Sequence, residues 1–125
     1  MTARDFEDLD VYKVAREFRK EIYALTRELP AQEKFVLVPQ MRRAALSATS
    51  NIAEGHGTYT HKQSIDYLHR SRGSVYELRD HLNACADENY ADPARIKALQ
   101  AKAVRLIRVI DGYVRYLRSR QSDDG

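Results

Sequence analysis

Apolar residues recur along most of the chain at alternating spacings of three and four, the period at which one face of an α-helix returns to the same side. Val11, Ala15, Phe18, Ile22, Leu25 and Leu29 keep this spacing without a gap. They predict a first helix over about residues 9–29, closed by Pro30. Met41, Ala45, Ala48 and Ile52 predict a second over about 38–55, ended by Gly55 and Gly57. Pro39 falls near its start, where a missing N–H costs little. Thr60, followed three residues on by Gln63, reads as a capping box opening a third helix over 60–89, with a seam of Ile65, Leu68, Val75, Leu78, Leu82 and Cys85. Asp92 as N-cap and Pro93 as first helical residue open a fourth over 93–119, whose seam is Ile96, Leu99, Ala103, Leu106, Ile110, Tyr113 and Leu117. Residues 120–125 read as a frayed tail. Four amphipathic helices joined by short loops close best as an all-α, up-and-down antiparallel four-helix bundle, one domain over 1–125.

Composition agrees with that reading. A chain of 125 residues and 14.4 kDa fits one domain and can bury a core without a disulfide or metal staple. Its 43% hydrophobic and 31% charged residues, with only five Gly and three Pro, exclude disorder, collagen-like repeats and a sandwich of many short turns. No apolar run approaches the roughly 20 residues of a membrane span. The stretch Met1-Thr-Ala-Arg-Asp-Phe-Glu-Asp is too acidic for a signal peptide. Cys85 is the single cysteine, so no internal disulfide forms, and a reduced, cytoplasmic setting is expected.

The second helix is the odd element. Arg42-Arg-Ala-Ala-Leu-Ser-Ala-Thr-Ser-Asn-Ile-Ala-Glu-Gly is dominated by small side chains. Such residues let backbones approach closely, either within the chain or against another subunit. Gly73, in mid-helix 3 at a cost of about 1 kcal/mol relative to Ala, is expected at a close crossing with helix 2. Polar residues also enter the seams. Glu54 sits at a helix C-terminus, whose partial negative charge disfavours a carboxylate, so it needs a compensating partner, and Arg72 or Arg43 can supply it. Asn51, Glu54, Arg43 and Arg72 are therefore expected to form a structural polar network that specifies register more than it adds stability.

At these residues the sequence resembles a bacterial family. Gln40-Met-Arg-Arg-Ala-Ala-Leu-Ser, Asn51-Ile-Ala-Glu-Gly-His-Gly and Arg72-Gly-Ser-Val-Tyr-Glu-Leu, with Leu9-Asp-Val-Tyr-Lys-Val-Ala and Ile22-Tyr-Ala-Leu-Thr upstream, are similar to the "four helix bundle protein" family. The family is also called the rRNA intervening-sequence protein, or S23-like. A distant relative is the accessory variability determinant of diversity-generating retroelements. The resemblance implies a ring-like homopentamer. The distant relative, a basic pentamer that binds a reverse transcriptase and nucleic acid, suggests RNA or DNA and such a protein as partners. The family name records where some of its genes lie and not an activity. The chain departs from the family pattern at Ala48-Thr49, where Ile-Pro is common, and at Thr58, where a basic residue is common.

Charge locates where a partner would bind. The net +3 is unevenly spread: residues 91–125 hold eight basic against four acidic residues, while residues 1–90 are net −1. From Ala94 to Ser122 the single acidic residue is Asp111. At about 100° per residue, Arg105, Arg108 and Arg115 lie on the arc opposite the apolar seam. Lys102 and Arg118 extend the same basic face. Arginine's bidentate fork suits phosphate, and Tyr116 lies beside the stripe, where it can stack on a base. The bland alternative is a solvated face. Two readings of the partner stay open, a nucleic acid or an acidic protein that makes the chain a protein–protein adaptor.

Enzyme chemistry has little support. A di-metal carboxylate bundle needs Glu-x-x-His pairs on facing helices, and none occurs. Asp66 with His69 and Glu77 with His81 are the only pairs of metal-ligating spacing among the four histidines. Ser71 and Ser74 lie near His69 without a nucleophile elbow or oxyanion loop, and no phosphate-cradling Gly-rich loop is present. The expectation is a non-enzymatic chain with no cofactor, no metal and no catalytic residue.

Overall fold

The computed structural model describes residues 5–121, and the tail residues 122–125 lie outside that range. Four helices carry the fold: α1 (Asp10–Thr26), α2 (Leu37–His56), α3 (His61–Asp87) and α4 (Pro93–Ser119). Short 3-10 turns at Phe6–Asp8 and Ala31–Glu33 precede α1 and α2. No strand occurs among the described residues, and no helix is long and apolar enough to cross a membrane.

Local chemistry explains most of the ends. Asp92 accepts a hydrogen bond from the Ala94 amide at 2.9 Å, with Pro93 in the first turn, as its sequence predicts. Thr60 Oγ1 accepts from the Gln63 amide at 3.1 Å, so its half of the capping box forms. α3 stops at Asp87, two residues earlier than its periodicity suggests. Asn89 takes the left-handed conformation (φ 56°), and the amides of Asn89 and Tyr90 donate back to the carbonyls of Ala86 and Cys85. That reversal satisfies two carbonyls the helix end leaves open. α1 ends at Thr26 rather than Leu29. Pro30 disfavours a helical residue before it, and the chain leaves through a turn in which Glu28 and Leu29 donate to Leu25 and Thr26.

Cross-helix contacts fix the topology. Arg19 reaches Thr49 while Arg42 reaches Thr26, so α1 and α2 run antiparallel. Ser71 donates to the Ala48 carbonyl and Ser74 to Ser47, while Gly55 faces Ser64 and Tyr67, which reverses α3 on α2. Arg72 meets Asp111 and Arg79 meets Gln100, reversing α4 on α3. Glu28–Arg95 and Glu21–Lys102 close α4 back onto α1. The result is an up-and-down bundle in which each helix packs mainly on two neighbours, α2–α3 most extensively.

The core follows the seams, with three corrections. Val11, Ala15, Phe18, Ile22 and Leu25 of α1, and the full predicted seams of α2 and α3, are buried. Ser64 and Ser71 complete the α3 stripe, and Arg72 stands beside it, only partly buried. Ser71 is fully buried because its hydroxyl donates to the Ala48 carbonyl at 2.7 Å, so a hydroxyl can sit where the backbones approach. In α4, Val114 is buried while Tyr113 is only half-buried.

The third correction concerns glycine. Gly73 is exposed, and a Cβ built there would meet nothing within 4 Å, so it marks no crossing. The close approach is at Gly55, where a Cβ would stand 3.0 Å from Tyr67 Cβ and 3.2 Å from the Ser64 carbonyl. Gly55 lies inside α2 and lets it lie down on the first turns of α3.

Candidate nucleic-acid interface

α4 presents two sides to the bundle and one to solvent. Its buried residues repeat every three or four positions from Ile96 to Leu117, which turns Lys97, Arg105, Arg108, Gly112, Arg115 and Tyr116 outward. Arg105, Arg108, Arg115 and Arg118 are all exposed. Among the described residues none of the four has a carboxylate partner. From Lys97 to Arg118 the stripe runs roughly 30 Å, at about 1.5 Å per residue.

The flanking charges are spoken for. Lys102 pairs with Glu21 and Arg95 with Glu28, both on α1, so Lys102 ties the helices together at the border of the face. It is the one predicted member of the stripe that already holds a counter-charge. On the other border Asp111, the only acidic residue of α4, is taken by Arg72 of α3 at 2.8 Å. The hydrogen bond to Asp111 holds the Arg72 guanidinium above its ordinary pKa. Arg72 also lies over the Tyr76 ring, 5.1 Å from its centroid. The one local carboxylate is thus turned toward α3.

This pairing corrects the expected polar network. Glu54 is exposed and meets neither Arg72 nor Arg43, and Arg43 is exposed on the outer side of α2. A helix end in water screens the unfavourable dipole interaction, so Glu54 needs no buried partner. Asn51 instead donates to the Ser47 carbonyl and hydroxyl at 2.9 and 3.0 Å, and Ser74 of α3 donates to the same hydroxyl at 2.9 Å. Asn51, Ser47 and Ser74 are therefore the network across α2–α3. Two further clamps escaped the sequence: buried Thr49 and Thr26 accept from Arg19 (2.8 Å) and Arg42 (2.9 Å), and Arg42 also lies over Tyr23. The signal available for them was a threonine set among apolar seam residues opposite an arginine-bearing helix.

Other candidate chemistry is dispersed. Glu77 and His81 meet at 2.9 Å along α3, while His69 is exposed. Among the described residues no three His, Cys, Asp or Glu side chains gather as a metal site. Ser71 and Ser74 spend their hydroxyls on α2. Cys85 is fully buried, and burial pushes its thiol up to about 11.

At the C-terminal end of α4 the face meets an open cleft of about 860 Å³, lined among others by His56, Tyr59, His61, Tyr113, Tyr116 and Leu117. The Tyr113 and Tyr116 rings stack with centroids 6.1 Å apart. Burial raises the Tyr113 phenol above its ordinary pKa.

The same fold is found in a solved structure, a protein of unknown function from the S23 ribosomal protein family of Bacteroides thetaiotaomicron. The TM-score is 0.77 at 19% identity, over 83% of this chain and 97% of that one. No curated protein is significantly similar in sequence. The sequence profile described as "23S rRNA-intervening sequence protein" matches residues 7–112, which includes three of the four helices in full and α4 as far as Gly112. Over that span, with the antiparallel bundle it encodes, the chain belongs to the 23S rRNA-intervening sequence protein family.

Proposed function

We propose that the chain is a non-enzymatic, oligomeric four-helix scaffold that binds RNA or DNA through the outer face of α4. One observation carries this reading: Arg105, Arg108, Arg115 and Arg118 are exposed without carboxylate partners among the described residues, while the only acid of the helix is held by Arg72. A face of one sign with no internal counter-charge attracts a polyanion, and arginine forks match phosphate oxygens. Lys102 contributes at the border once it exchanges Glu21 for a phosphate.

Self-association belongs to the same reading, as a homopentamer. Its support is the apolar surface left uncovered around the start and outer side of α2, where Phe35 is 84%, Val36 63% and Leu46 48% exposed. Phe35 and Val36 stand in the turn before α2 and Leu46 on the helix itself, and exposed apolar side chains of this size favour a protein contact. Repeating the basic face around an assembly raises affinity through avidity.

The test is a binding titration of labelled RNA and DNA against the wild-type chain and the triple variant Arg105→Ala, Arg108→Ala, Arg115→Ala. The reading expects binding at low salt that the triple variant loses. Binding to an acidic polypeptide such as polyglutamate, with none to RNA or DNA at low salt, would replace it by a protein–protein adaptor.

A further inference from the structure

Aromatic surface at the C-terminal end of α4 is only partly used by the packing, the Arg120 guanidinium lying 6.0 Å from the Tyr116 ring centroid. Tyr59 is fully exposed and Tyr116 is 56% exposed, and both line the same open cleft. Tyr113 lies beneath Tyr116, the two rings inclined by 28°, so the half-buried ring braces the exposed one. Exposed tyrosines singly placed mean little. These two converge on one cleft, and one of them stands on the basic face itself.

The local register joins ring to charge. Tyr116 follows Gly112 by one turn and lies on the same side of α4 as Arg105 and Arg108. Gly112 leaves the helix surface bare, and the Arg115 guanidinium folds over it, 3.7 Å from where a Cβ would stand. An anionic backbone following the arginines toward the end of the bundle thus arrives at an exposed aromatic ring beside a cleft. Paired bases keep their faces inside the duplex stack, while unpaired bases present them. Arginines that track a backbone, together with aromatic rings for its bases, recognise a single strand.

We propose that Tyr116, braced by Tyr113 and facing the cleft that Tyr59 borders, is a stacking platform for an unpaired base of a single-stranded nucleic acid. The proposal rests on the reading of the α4 face as a nucleic-acid interface and adds the form of the ligand. Because Tyr116 is exposed, its replacement leaves the core intact.

The experiment compares wild type, Tyr116→Ala and Tyr116→Phe by fluorescence anisotropy with labelled oligo-dT, oligo-U and a blunt DNA duplex. Stacking on one base predicts that Tyr116→Ala weakens single-strand binding roughly 5- to 150-fold. Tyr116→Phe should stay within about 2-fold, because the ring and not the hydroxyl makes the contact. Duplex affinity and the salt dependence should not change. A preference for oligo-U over oligo-dT that Tyr116→Ala preserves would assign the 2′-hydroxyl to a contact elsewhere, with the platform upheld by the loss on both strands. The platform is overturned, and the basic face upheld, if wild type binds both kinds of probe and Tyr116→Ala weakens neither or weakens both alike. An equal loss in Tyr116→Phe also overturns it, in favour of a hydroxyl contact. No binding of any probe by the wild type overturns both.

Discussion

Arg72 Nε of α3 stands 2.8 Å from Asp111 Oδ1 of α4, and Arg72 Nη2 stands 3.4 Å from Oδ2. The pair acts twice. It pins the α3–α4 register, and it draws the only carboxylate of α4 away from the basic face. Both side chains keep more than a third of their surface in water (39% and 36%), so the contribution to stability is small, about 0.5–1 kcal/mol. Thermal melts of Arg72→Ala should show a fall of a few degrees that shrinks at high salt. A fall that is independent of salt would point to lost packing on Tyr76 instead.

Gly73 in the middle of α3 and Gly55 near the end of α2 should respond in opposite directions to alanine. Gly73→Ala removes backbone freedom from the unfolded chain at an open site, and urea unfolding should show a gain of about 0.5–1 kcal/mol. Gly55→Ala drives a Cβ against Tyr67 Cβ and the Ser64 carbonyl, and should cost about 1–3 kcal/mol. Equal effects at both sites would contradict the α2–α3 geometry.

Cys85 gives a pH-dependent prediction whose sign is fixed by its shift. Its thiol is raised from 9.0 to about 11 by burial first and by Glu33 second. A raised folded pKa means the unfolded chain ionises more readily. The contribution is complete below pH 9, and is lost progressively as pH rises from about 9 to 11. Unfolding titrations with Cys85→Ala as the reference should isolate that alkaline limb. At neutral pH a thiol reagent should modify Cys85 only as fast as the chain opens.

Assembly has its own readout. Light scattering at micromolar concentration should give a mass near five times 14.4 kDa, and Leu46→Lys on the outer side of α2 should lower it. A monomer mass for the wild type would contradict the pentamer.

What the sequence revealed and what it hid divide along physical lines. Spacings of three and four are a property of one helix, so Val11 to Leu25 and Ile96 to Ile110 could be read directly, as could the Asp92-Pro93 start. Partners across helices depend on how each helix is rotated and where it is set along its neighbour, which no single-helix pattern encodes. Arg72 therefore met Asp111, 39 residues on, rather than Glu54. Ser64 and Ser71 look polar by type, yet their hydroxyl size suits the closest part of α2–α3, and Ser71 is satisfied by the Ala48 carbonyl. The cost of a helical glycine is likewise visible in sequence, but only the neighbour facing it separates Gly55 from Gly73. The basic stripe was legible as an arc on α4. Which of its members is already paired was not, and among the described residues that member is Lys102, held by Glu21.

The central claim is that the α4 arginines neutralise phosphates, and the salt dependence of binding measures that most directly. Four arginines engaging a single strand predict a slope of log K against log salt of about −3 per chain in contact, and near −3.6 on a duplex. Replacing Arg105, Arg108 and Arg115 by Ala should flatten it by about 2. A wild-type slope near zero, or one unchanged in the triple variant, would contradict the assignment of this face.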